Sequence, residues 1–347
     1  MTKIKAYSAE WQSPSNLAIV KYWGKKEIQK PLNPSISFSL KNAVTTTRVT
    51  AKPFKERGFT FWLDGIKKET FDDKIVNFLE LASTTLPFII THHLTIESSN
   101  TFPHSSGIAS SASGMSALAL CLMHIQSKIN DETATQLNTQ SVSNLARMGS
   151  GSAARSLYGG WTIWGKTPAI EESNNNYAVQ IKDIHPNFKQ IANAILIIEP
   201  KSKKVSSSKG HSLMTNHPYK QARIKQAHSN TYQLLEILKT GNWNQFLNIA
   251  EHEALSLHAL MMSSTPGYTL LHPNSLKVME EVRKARLKLQ LPVGFSMDAG
   301  PNIHLLYPKY EEKQILPWLE EKIRPLCNNQ SIIFDELGDG PIENKLH

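Results

Sequence analysis

An α+β architecture of two lobes is predicted for this chain, and three observations carry the prediction. Runs rich in β-branched and aromatic residues crowd the first half. Helical periodicity dominates the second half, and no regular βαβ alternation joins the two. With 347 residues and 40% hydrophobic content, the chain is also long enough to bury a sizeable core. Strands are expected at residues 45–51, 59–63 and 94–98, with 161–164 and 194–198 as further candidates. Residues 17–20 form a short apolar strand leading to a turn at Gly24, and the aromatics of 59–62 alternate as a core strand does. Helices are expected at 73–82, 111–125 and 136–148, then at 219–238, 246–262 and 275–289. Residues 171–177 (EESNNNY) read as an exposed loop. The lobe boundary falls near residue 190, giving lobes of 1–190 and 191–347.

Composition narrows the function classes. Pro and Gly occur 18 and 17 times, near average, which excludes collagen-like and low-complexity chains. Lys and Arg number 38 against 29 Asp and Glu, so the chain carries a formal +9 and suits an anionic partner. Phosphorylated metabolites, nucleic acid and membrane surface all qualify. Two cysteines, Cys121 and Cys327, exclude a disulfide framework and point to a reducing compartment. The first fifteen residues show no apolar signal-peptide core, and no apolar run approaches the roughly 18 residues that span a bilayer. A cytoplasmic protein with no membrane partner is expected.

Three segments carry chemistry. Residues 100–117, NTFPHSSGIASSASGMSA, run from a strand through small residues into an apolar helical pattern. Gly107 allows close backbone approach, and the helix start offers unpaired N–H groups and a positive dipole end to phosphate. The Ser110 and Ser111 hydroxyls add donors or a Mg²⁺ ligand. Neither a Walker A loop nor a G-x-G-x-x-G fingerprint is present. The second segment, SNLAIVKYWGKKE at 15–27, places Lys21, Tyr22, Lys25 and Lys26 around one turn. The third, ARMGSGSAARSLYGGWTIW at 146–164, sets a Gly/Ser turn before Arg155, whose fork suits carboxylate or phosphate. Each has a plainer structural reading. The serines alone could cap a helix, the lysines could lie in a solvated loop, and Gly149 could end a helix that leaves Arg155 on the surface.

PHSSGIASSASG resembles the phosphate loop of the GHMP kinase superfamily, and KYWGK, GSGSAAR and FSMDAGPN (295–302) resemble the mevalonate diphosphate decarboxylase family within it. The likeness runs from about residue 14 to about residue 307, with the motifs in the family's order. It implies the GHMP kinase fold, an active site in the cleft between two lobes, ATP and Mg²⁺ as cofactors, and a homodimer. It also implies ATP-dependent decarboxylation of mevalonate 5-diphosphate. In this reading Asp298 orients or deprotonates the C3 hydroxyl, Arg155 grips the substrate carboxylate, and Asn16 fixes Arg155. Tyr22, Trp23, Gly24, Lys25, Ser150, Gly151, Ser152, Ser207 and Ser208 hold the diphosphate tail. Ser105, Ser106, Gly107, Ile108, Ala109, Ser110 and Ser111 hold the ATP phosphates, with Ser110 on the metal.

One segment departs from the family pattern. His211 stands where a methionine is expected, which keeps mevalonate 5-phosphate open as the substrate. A small-molecule kinase that stops at the phosphate ester is the rival within the fold. A nucleic-acid binder is the rival outside it, but no recognised RNA or DNA motif is present. The pair His92-His93 lacks a ligand partner at metal-site spacing and reads as structural.

Overall fold

The computed structural model describes residues 5–54, 58–68, 72–103, 108–131, 137–200 and 205–345. Two long antiparallel strands organise it. β1 (Tyr7–Val20) pairs with β2 (Ser35–Pro53), from Tyr7 opposite Ala51 to Val20 opposite Ile36. β3 (Gly58–Leu63) and β4 (Ile66–Lys67) form a hairpin. α1 (Asp72–Ser83) and α2 (Phe88–Thr91) lead to β5 (His92–Asn100), which pairs antiparallel with β2 and parallel with β3. α3 (Ser110–Ile129) and α4 (Thr139–Gly149) follow, and then β6 (Trp161–Trp164) and β7 (Ala178–Gln180) extend the sheet beside β2.

The second half builds its own sheet. β8 (Ile191–Leu196) is followed by α5 (Ser207–Leu213), α6 (Lys220–Thr240), α7 (Trp243–Met262) and α8 (Pro273–Lys288). β9 (Gly294–Ser296), β10 (Ile303–Pro308), α9 (Glu312–Trp318) and β11 (Ile332–Glu336) complete a sheet of order β11-β8-β10-β9. The chain then returns, and β12 (Ile342–Glu343) pairs with β1.

One apolar core joins the halves. Leu17, Ile19, Phe38 and Trp161 from the first sheet pack with Phe188, Ile195, Leu234 and Phe246 from the second half. The aromatic rings of Trp161, Phe188 and Phe246 lie 5.0–6.4 Å apart in edge and tilted contacts. Such geometry adds about 0.5–1.5 kcal/mol per pair beyond the area buried. A second cluster packs α1, α3 and α4 against the first sheet, and a third packs α8 and α9 against the second.

Several expectations shift. The apolar run at 17–20 is the end of a 14-residue strand, whose first part alternates Tyr7, Ala9 and Trp11 with Ser8, Glu10 and Gln12, a period-two signal not counted among the strands expected above. The strand expected at 194–198 runs from Ile191 to Leu196, and the helix expected from 136 starts after Asn138, whose side chain accepts from the Ser141 N–H. Residues 59–62 are not a core strand: every one is half-buried, and Phe61 faces a cavity. The loop at 171–177 is mostly exposed, but Ser173 is buried because its hydroxyl closes a turn with Thr167. Strands β9 and β10 escaped prediction because they are buried on both faces and show no alternation.

Candidate active site

A cavity of 540 Å³ opens where the ends of β1 and β5, the starts of α3 and α5, the 149–155 turn and the β9–β10 loop converge. At its floor lies Lys21, whose side chain is 2% exposed. Its ammonium donates to the Ala18 carbonyl at 2.5 Å, to Ser296 Oγ at 2.9 Å and to Asp298 Oδ1 at 2.9 Å. Asp298 is a quarter exposed and faces the cavity. Behind the pair sits His304, whose buried ring is pushed down to about 4 and is therefore neutral at physiological pH.

Arg155 is not on the surface. It is 2% exposed, with Nε donating to Asn16 Oδ1 (3.1 Å) and Ser37 Oγ (2.9 Å), and Nη1 donating to Ser35 Oγ (2.7 Å). Its guanidinium also lies 5.8 Å over the Trp164 ring. Among the described residues no carboxylate stands within ion-pair distance of it. Burial lowers its pKa to about 10 against the opposing pull of Asp298 and Tyr22, so it remains a cation. A buried cation whose partners are neutral hydroxyls and one amide is costly until an anion joins it. Both Arg155 and Asp298 line the cavity, which supplies that opening.

The residue preceding α3 is Ala109, and among the described residues no side chain caps the first turn. Ser110 and Ser111 therefore do not serve as the N-cap. Ile108, Ala109, Ser110 and Ser111 line the cavity; Ser105, Ser106 and Gly107 lie outside the described residues. The Ser150 hydroxyl donates to Ser111 Oγ at 3.3 Å and lies 3.2 Å from Ser152 Oγ, which ties the third segment to the helix start. Gly149 is the last helical residue of α4. Gly151 has no room for a side chain, since a Cβ would stand 2.7 Å from Tyr22 Oη and 2.8 Å from Trp164.

Tyr22, Trp23, Lys25, Ser150, Gly151, Ser152, Ser207 and Ser208 all line the cavity. Gly24 does not. It makes the turn, with φ of +87°, and its N–H donates to His211 Nδ1 at 3.0 Å. An Nδ1 that accepts leaves the ring proton on Nε2. Burial, with Lys25 nearby, pushes His211 down to about 3, so the ring is neutral. It packs between Tyr22 and Trp23, with ring centres 4.4 and 4.6 Å away. Burial pushes the Tyr22 phenol well above its ordinary range, so it acts as a neutral donor. Burial and then Lys74 push the Lys25 ammonium down, and both lysines face the cavity, so an anion there relieves their repulsion.

Sequence reading missed four participants: Lys21 as the partner of Asp298, the serines Ser35 and Ser37 around Arg155, and the link from His211 to Gly24. A lysine directly ending the apolar run 17–20 was the one available signal. The opposite end of the cavity is apolar, lined by Phe61, Leu63, Ile75, Ile96, Met115 and Leu118. His92 and His93 bond to Phe88, Thr91 and Thr60, and among the described residues no cluster of His, Cys, Asp and Glu could hold a metal. Nor is any described helix long and apolar enough to cross a membrane.

Comparison with known proteins gives a consistent result. Residues 13–175 match the family model described as the diphosphomevalonate decarboxylase-like N-terminal domain. Residues 193–342 match the mevalonate 5-diphosphate decarboxylase C-terminal domain. The diphosphomevalonate decarboxylase of Saccharomyces cerevisiae is 28% identical over 331 residues, covering 90% of this chain and 81% of its own length. The solved mevalonate diphosphate decarboxylase of Staphylococcus aureus is 31% identical with a TM-score of 0.85, covering 98% of this chain and 99% of its own. A structure solved as a complex with MVAPP, AMPPCP and magnesium is 30% identical, also with a TM-score of 0.85, covering 99% and 100%. With both halves matched and the GHMP kinase fold shared throughout, the chain belongs to the mevalonate diphosphate decarboxylase family.

Proposed function

We propose that the chain catalyses the ATP-dependent conversion of mevalonate 5-diphosphate to isopentenyl diphosphate, CO₂, ADP and phosphate. The observation that carries this reading is the pairing, in one cavity, of a buried Arg155 with no carboxylate at ion-pair distance among the described residues and an Asp298–Lys21 ion pair. A kinase needs only the second of these. The first supplies a seat for a substrate carboxylate.

As the anionic half of an ion pair, Asp298 accepts the proton of the C3 hydroxyl. Lys21 holds that carboxylate in place and keeps positive charge beside the oxygen that gains negative charge. Arg155, fixed by Asn16, Ser35 and Ser37, orients the substrate carboxylate so that CO₂ departs as C3 becomes electron-poor. Tyr22, Lys25, Ser150, Ser152, Ser207 and Ser208 surround the diphosphate tail, and the His211 Nε2–H adds a donor there.

ATP, when bound, supplies the phosphoryl group that makes the C3 oxygen a leaving group. Its phosphates fit the start of α3, which no described side chain caps, and the apolar lining around Phe61 and Leu118 suits the base. Mg²⁺ would be held by the Ser110 hydroxyl together with the ATP phosphates and would offset their charge, since among the described residues no cluster of carboxylates could cage it. The bound AMPPCP and magnesium of the related complex support both cofactors.

The division into lobes 1–190 and 191–347 accords with the separate family models on either side of that point. A homodimer and a cytoplasmic location are carried over from the family resemblance. The test of the function is to measure ADP and CO₂ together with mevalonate 5-diphosphate and MgATP. One CO₂ per ADP is expected, and ADP without CO₂ would make the chain a kinase.

A further inference from the structure

Lys21 stands where the first strand leaves its sheet, since the last registered pair of β1 with β2 is Val20 opposite Ile36. Beyond it the Lys21 peptide groups are met by side chains. Its N–H donates to Glu253 Oε2 at 2.8 Å, and its carbonyl accepts from Arg223 Nη2 and Asn33 Nδ2, each at 3.0 Å. Arg223 and Glu253 form a two-pronged ion pair, Nη1 to Oε1 at 2.8 Å and Nη2 to Oε2 at 2.7 Å. Asn230 adds a second donor to Oε1 at 2.6 Å. The two charged side chains are 2% and 0% exposed. Burial pushes the Glu253 carboxyl up, but Arg223, the Lys21 N–H and Asn230 outweigh it and hold the group ionised.

A fully buried ion pair is weak evidence of stabilisation, because apolar residues of similar volume often do as well. Its placement gives a better account of it. We propose that Arg223 and Glu253 are positioning residues for the reaction, clamping the Lys21 peptide from both sides and so aiming its ammonium at Asp298. The proposal rests on the reading of Lys21 and Asp298 as the pair that handles the C3 hydroxyl. A lysine has four rotatable stem bonds, so its ammonium is placed only when its backbone is placed. Misplacement by about 1 Å can cost on the order of 10²-fold in rate. The helix α7 that carries Glu253 also carries His258, whose Nε2–H donates to the Asp298 carbonyl at 3.1 Å. Glu253 and His258 are five residues apart, roughly 7.5 Å along the axis. One helix thereby spaces both halves of the pair.

The clamp is tested by comparing Glu253→Asp, the double variant Arg223→Met/Glu253→Leu, and Asp298→Asn with the wild type. Glu253→Asp keeps a carboxylate against Arg223 but withdraws it by one methylene from the Lys21 N–H. The double variant removes both charges together. For each folded variant, kcat is expected to fall at least tenfold, with KM for ATP within twofold of wild type and thermal unfolding close to it. A folded clamp variant with kcat within twofold of wild type would overturn the proposal, and inactive Asp298→Asn alongside it would leave the reading of the pair intact. An active Asp298→Asn would remove both. If neither clamp variant folds, hydrogen exchange of the Lys21 amide in the wild type decides. Protection equal to the β1 core supports the clamp, and exchange at the rate of an unstructured peptide overturns it.

Discussion

Replacing Arg155 by lysine keeps the charge and removes the fork, so it isolates what the guanidinium geometry contributes. In the structure Nε serves Asn16 and Ser37 while Nη1 serves Ser35. That division leaves the rest of the fork for the cavity. A lysine ammonium has three hydrogens at one point and cannot satisfy those acceptors while also offering a planar pair of donors to a carboxylate. At least one charge-assisted hydrogen bond to substrate is then lost, worth about 1.5–3 kcal/mol. That translates to a fall of roughly 10- to 150-fold in kcat/KM for mevalonate 5-diphosphate. The assay is initial-rate ADP release with CO₂ measured in parallel, and a thermal melt establishes that the variant is folded. CO₂ per ADP is expected to drop as well, because the carboxylate is no longer held as C3 loses its leaving group. A folded variant with kcat/KM within threefold of wild type would refute the assignment of Arg155 to the substrate carboxylate.

Three further outcomes follow from the geometry. Asp298→Asn keeps shape but removes the proton acceptor, so kcat is expected to fall by about 10²-fold or more while nucleotide affinity, read by titration calorimetry, holds. His211 has an ordinary value of 6.5 pushed down to about 3 in the fold, so the unfolded chain binds its proton first as pH falls. Stability from a neutral His211 is therefore present above about pH 6.5 and is lost progressively toward pH 3. His211→Met is expected to flatten that acid limb of the melting temperature, with an unchanged limb as the contrary result. Gly151→Ala places a Cβ 2.7 Å from Tyr22 Oη, which must move. Overpacking of this kind costs about 1–3 kcal/mol, so a lower melting temperature and a raised KM for substrate are expected.

Much of the site could be read from the sequence because its signals are local. The small-residue loop before α3, the Gly/Ser turn before Arg155 and the Asp298 turn are contiguous segments, and the cavity brings their described parts together. What escaped was set by long-range packing. Lys21 and Asp298 are 277 residues apart, and nothing in either segment marks them as partners. The same holds for Arg155 with Ser35 and Ser37, about 120 residues away. Much of the second sheet was missed for a different reason. Strands β9 and β10 are buried throughout, and without a solvent face the period of two disappears. The first half of β1 was legible and overlooked: Tyr7, Ala9 and Trp11 alternate with Ser8, Glu10 and Gln12, and across the pair Ser8 bonds to Thr50 and Glu10 to Arg48.

The central claim, that this cavity is built for the diphosphate, is tested most directly by kcat/KM measured side by side on mevalonate 5-diphosphate and mevalonate 5-phosphate, with CO₂ as the readout. Tyr22, Lys25, Ser150, Ser152, Ser207, Ser208 and His211 present more donors than one phosphate needs. The account predicts preference for the diphosphate by at least one order of magnitude, the value of a single charge-assisted contact. Equal or higher kcat/KM with the monophosphate would contradict it.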